Sequence, residues 1–90
     1  MLLLPATVTM QEARNASAML AQALRREPDG PVLVDASGLQ QFDTAILAVL
    51  LECQRQAQSW GKSFAVRHAP PKLSSLAKLY GVDSLLRFEA

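Results

Sequence analysis

Val32-Leu33-Val34-Asp35-Ala36-Ser37-Gly38-Leu39-Gln40-Gln41-Phe42-Asp43-Thr44 carries the chain from a strand to the start of a helix. Its first three residues are apolar, largely β-branched and bounded by turn residues, the pattern of a buried central strand. Ser37-Gly38 turns the backbone away from that strand. Asp43 is a strong N-cap for the next helix, because a carboxylate can accept the free N–H groups of a first helical turn. Apolar residues then recur at helical spacing to about Trp60, and Gly61 supplies the stop.

Outward from this passage the same alternation repeats. On the N-terminal side, Leu2-Leu3-Leu4 reads as a short strand ended by Pro5, which cannot donate to a ladder. Thr9 and Glu12 have capping-box spacing. Ala13, Ala16, Leu20, Ala23 and Leu24 continue as a helical stripe to Arg26, where Arg25 and Arg26 complement the helix dipole. Pro28-Asp29-Gly30-Pro31 breaks the chain. On the C-terminal side, Phe64-Ala65-Val66 reads as a strand, Pro70-Pro71 opens a helix and Gly81 closes it. Leu85 to Phe88 reads as a last short strand or a tail packed on the sheet. Helices placed between strands imply parallel pairing and right-handed crossovers. The expectation is one α/β domain over residues 1–90, with about four short, mainly parallel strands alternating with three helices. Val34, Leu50 and Val66 are expected inside it.

A formal net charge of +1 and no basic-aromatic cluster argue against nucleic-acid binding. A single cysteine, Cys53, permits no intrachain disulfide, which suits the cytoplasm. Met1-Leu2-Leu3-Leu4 is too short for a signal peptide's apolar region, and the run from Ala45 to Leu51 is too short to span a bilayer. Any membrane role is therefore expected to pass through a membrane-bound partner.

The helix after Asp43 carries two apolar stripes. Ile46, Val49, Leu50, Cys53, Ala57 and Trp60 form one, the ordinary core face. Thr44, Leu47, Ala48, Leu51 and Arg55 form a second, and a helix in a two-layer domain needs only one. The second stripe marks either deeper burial or a docking surface. Thr44 stands at the start of the helix, after a strand's carboxyl end, where sites in open α/β sheets collect. A phosphate there would meet free N–H groups and the positive end of the dipole, so Thr44 is both a docking residue and a candidate phosphosite. Its alternative is a plain first-turn residue beside the Asp43 cap. Asp35 and Asp43 are paired acids near a strand end, but no His or third ligand accompanies them. No catalytic residue, metal site or cofactor is therefore expected. His68 is expected at the surface, Cys53 as an inert core residue, and Trp60 and Tyr80 as partly buried anchors at helix ends.

The stretch from Val34 to Thr44 resembles the signature of STAS domains: a strand ending in Asp, a short Ser-containing turn, an apolar residue, then Asp and Ser or Thr at a helix start. Within that family, Asp43-Thr44-Ala45-Ile46-Leu47-Ala48-Val49-Leu50-Leu51-Glu52 and Leu76-Ala77-Lys78-Leu79-Tyr80-Gly81-Val82 look like the MlaB subunits of Mla phospholipid-transport ABC complexes. That resemblance implies a non-catalytic cytoplasmic subunit, peripheral to the inner membrane, bound to an ABC ATPase subunit (MlaF-like). It also carries the family's functional threonine onto Thr44. The chain departs from the family where small residues, usually glycine, come after this threonine: Ala45 and Ile46 stand there. The runner-up within the family is an anti-sigma factor antagonist, which binds a kinase-like anti-sigma factor and would be switched by phosphorylation at Thr44. A third reading is an unrelated α/β binding module.

Overall fold

The computed structural model describes residues 2–26 and 30–89. In chain order its elements are β1 (Leu2–Leu3), β2 (Thr7–Val8), α1 (Ala13–Arg26), β3 (Val32–Asp35), β4 (Gln41–Phe42), α2 (Ala45–Ser59), β5 (Phe64–Arg67), α3 (Pro71–Leu79), α4 (Asp83–Leu86) and β6 (Phe88–Glu89). Pro28 and Asp29 of the expected break lie outside the described residues.

The main sheet has the order β1-β3-β5-β6, and every pairing in it is parallel. A sheet that grows in one direction through right-handed crossovers collects its helices on one face. The strands alternate accordingly. Leu2, Leu4, Val32, Val34, Phe64 and Val66 join the core with Leu20, Leu24, Ile46, Leu50, Leu73 and Leu86. Leu3, by contrast, is 67 % exposed on the other face. That open face carries the cross-strand row Leu3, Asp35, Arg67 and Glu89, with an ion pair of 3.3 Å between Arg67 and Glu89. The expected core residues Val34, Leu50 and Val66 are fully buried.

Three elements differ from the sequence expectation. β2 and β4 form a separate two-stranded parallel ladder, Thr7 opposite Gln41 and Val8 opposite Phe42. The segment expected as a strand or tail begins instead as the short helix α4, and only Phe88–Glu89 pairs with β5. The expected Thr9–Glu12 capping box is also altered. Its side-chain bonds are not formed, and the two residues are joined by the Glu12 N–H donating to the Thr9 carbonyl at 2.9 Å.

Helices α2 and α3 end alike. Beyond α2, Gly61 lies at φ +72°, its N–H donates to the Gln58 carbonyl at 2.9 Å, and the Lys62 N–H donates to the Ala57 carbonyl at 2.9 Å. Beyond α3, Gly81 at φ +73° and Val82 repeat this with Lys78 and Ala77. These are Schellman motifs, which satisfy orphan carbonyls at the cost of one left-handed residue.

Candidate docking site

The site is built around the first turn of α2. The helix proper begins at Ala45, but Thr44 already has helical angles (φ −60°, ψ −18°) and its hydroxyl makes no capping bond. Asp43 does the capping: its Oδ1 accepts the Ala45 N–H at 2.9 Å. Its Oδ2 accepts the Met10 N–H at 3.0 Å, which ties the loop before α1 to the start of α2. The β2–β4 ladder brings these segments together. Met10, 74 % exposed, is thus held on an ordered loop beside Thr44, above a shallow depression lined by Thr9, Met10, Gln11 and Asp43.

The five residues of the second stripe separate. Thr44, Ala48 and Arg55 are exposed, and Leu51 is half-buried with its side chain packed on the core. Leu47 is only 6 % exposed, which corrects its placement on a docking surface. The reason is that α2 packs against α1, β5 and α4, so a single core stripe does not cover all its neighbours. Arg55 is committed to Glu52, to which it donates from Nε at 3.0 Å and also from Nη2. That pair, with Gln56 donating at 3.3 Å, holds the Glu52 carboxyl below the usual carboxylate range. Ile46 is fully buried and fills the core, leaving the surface at the helix start unobstructed by it.

The paired acids are occupied by backbone. Asp35 Oδ1 accepts the Ser37 N–H at 2.8 Å, forming the turn that leaves β3. Hydrogen bonding from Ser37, the backbone N–H above all, holds the Asp35 carboxyl below the usual carboxylate range. Among the described residues, no group of three His, Cys, Asp or Glu could hold a metal ion. Burial pushes the Cys53 thiol up to about 11, so it stays protonated at neutral pH. His68 is exposed, as expected, but has a positive φ of 57°. Trp60 (47 % exposed) and Tyr80 (57 %) are not the partly buried anchors expected. Both sit at the C-caps of their helices, where the turn to glycine carries them off the core stripe. The Lys62 ammonium lies 5.9 Å from the Trp60 ring centroid.

Sequence reasoning misses Met10 as a neighbour of this site, and the contact of Lys72 with the Phe42 ring. Lys72, in the first turn of α3, places its ammonium 5.7 Å from the ring centroid of Phe42, two residues before Thr44. Neither residue shares a periodic stripe with α2, and both contacts are products of topology.

A family model described as "Mlab, STAS domain" matches residues 2–87. The chain belongs to the STAS domain family. Comparison with curated proteins returns no match. STAS domains are generally non-catalytic interaction modules, and the small α/β architecture with parallel strands agrees with that family. Among the described residues, no helix is long and apolar enough to cross a membrane.

Proposed function

We propose that this STAS domain is the cytoplasmic subunit that binds and supports the ATPase of an ABC phospholipid transporter of the Mla type, which maintains outer-membrane lipid asymmetry. The carrying observation is the exposed start of α2. Thr44 and Ala48 face solvent one turn apart, on a helix whose other side is sunk in the core. Asp43 fixes that turn and the adjacent Met10 loop, so a partner meets a surface that is already ordered. Preorganisation of this kind removes part of the entropic cost of association. The matching family model carries the MlaB name, which agrees with a transporter subunit.

The test is affinity purification of the tagged chain from native membranes, with mass spectrometry of what co-purifies. An ABC ATPase with its permease supports the reading. A kinase-like anti-sigma factor in their place overturns it in favour of an antagonist switched at Thr44.

A further inference from the structure

Met10 stands apart from the other exposed apolar side chains in what fixes its backbone. It is 74 % exposed and takes no part in the hydrophobic core. Its N–H donates to Asp43 Oδ2 at 3.0 Å, and the other oxygen of that carboxylate accepts the Ala45 N–H at 2.9 Å. One side chain therefore holds both Met10 and the helix start that carries Thr44. The Glu12 N–H donates to the Thr9 carbonyl at 2.9 Å, closing the loop around Met10. The β2–β4 ladder fixes the same loop from its other end, with Val8 opposite Phe42. Leu79 is as exposed, at 77 %, but it is the last residue of α3.

Charge narrows what can cover Met10. Of Thr9, Met10, Gln11, Asp43, Thr44 and Ala48, only Asp43 is ionised, and each of its oxygens accepts a backbone N–H. A strongly charged partner surface would be desolvated here against neutral groups and a carboxylate already bonded twice, at a net cost. An apolar surface matches, because removing the Met10 side chain from water is favourable.

We propose that Met10 is the apolar anchor of the docking site, and that the ATPase subunit takes its side chain into an uncharged, apolar recess. This rests on the docking reading above and extends its surface from Thr44 and Ala48, across Asp43, to the loop before α1. An unbranched thioether adapts to an irregular recess. Asp43 has already ordered the backbone, so little entropy is lost on binding. An anchor of this kind slows dissociation, and a contact without an ion pair is little affected by salt.

The experiment measures binding of the purified domain to the immobilised ABC ATPase subunit of the same organism, at about 50 mM and about 500 mM salt. Met10→Ala should bind about tenfold more weakly than wild type, chiefly through faster dissociation, and by the same factor at both salt concentrations. Met10→Leu, which conserves volume, should stay within about threefold, and Met10→Asp should abolish binding. Leu79→Ala should bind as wild type. The Met10 variants keep the N–H that Asp43 accepts, so each should melt within a few degrees of wild type. Lost binding without lost stability separates an anchor from a structural residue. A defect in Met10→Ala that shrinks at the higher salt would overturn the apolar chemistry of the contact. Wild-type binding by Met10→Ala and Met10→Asp, with binding abolished in Thr44→Glu, would overturn the role of Met10 and leave the docking reading standing. Wild-type binding by Met10→Asp and Thr44→Glu alike would overturn both.

Discussion

The two oxygens of Asp43 receive N–H groups from two different parts of the chain, one from its own helix and one from the loop before α1. Replacing Asp43 with Ala should lower stability by about 1 kcal/mol, the usual cost of losing an N-cap. The same change should speed hydrogen exchange at the Met10 amide, because that donor loses its acceptor. Exchange at Met10 unchanged in Asp43→Ala would show that the loop is ordered by something else. Asp35 acts through pH. Its folded pKa is lowered, so its contribution is present above the unfolded pKa and is lost as pH falls through the folded one. Asp35→Asn keeps an oxygen for the Ser37 N–H but does not titrate. Urea midpoints taken from neutral pH down to about 2 should therefore fall less steeply for Asp35→Asn than for wild type. Equal slopes would assign the acid limb to other carboxylates such as Glu52.

At the scale of elements, α2 is held at both ends by different devices, an Asp cap and a Schellman turn. Gly61 sits at φ +72° with open space where a Cβ would go, so Gly61→Ala meets no clash and its cost is conformational. Thermal or urea unfolding should show a loss on the order of 1–2 kcal/mol. A loss near zero would mean that the turn relaxes out of the left-handed region. This end of α2, the strand β3 and the Asp43 cap are legible in the sequence, since each rests on a residue type with few alternatives: a β-branched run, a capping carboxylate, a glycine at positive φ. β2 and β4 are not, because two-residue strands are too short to show a period of two. For the same reason α4, four residues long, carries no helical period, and its leucine pair reads as strand. Within the site, periodicity correctly puts Thr44 and Ala48 on a face other than that of Leu50. It misassigns Leu47, since whether a second apolar stripe is buried depends on how many elements flank the helix. Met10 is invisible along any one helix, because the β2–β4 ladder brings it in.

For the whole molecule, the helices pack on one face of a short parallel sheet, and α2 lies among α1, α4 and the strand β5. Leu50 lies fully buried there, so Leu50→Ala should cost ~2–5 kcal/mol by chemical denaturation. A loss under ~0.5 kcal/mol would place Leu50 outside the core. That sensitivity bears on how docking is tested. Leu51 is half-buried against the core, so a charge there would disturb folding and binding together. Thr44 and Ala48 are exposed and separable from the core. An acid at Thr44 falls in the first turn, where the dipole tolerates it, and Glu at Ala48 remains a good helix former. In a contact with a partner, either charge would be desolvated without a counter-ion. The direct measurement is co-purification of the ABC ATPase subunit with wild type, Thr44→Glu and Ala48→Glu, alongside a melting curve of each domain alone. Both variants should lose the ATPase while melting within a few degrees of wild type. Retention of the ATPase by both would contradict docking through this face and remove the start of α2 from the interface.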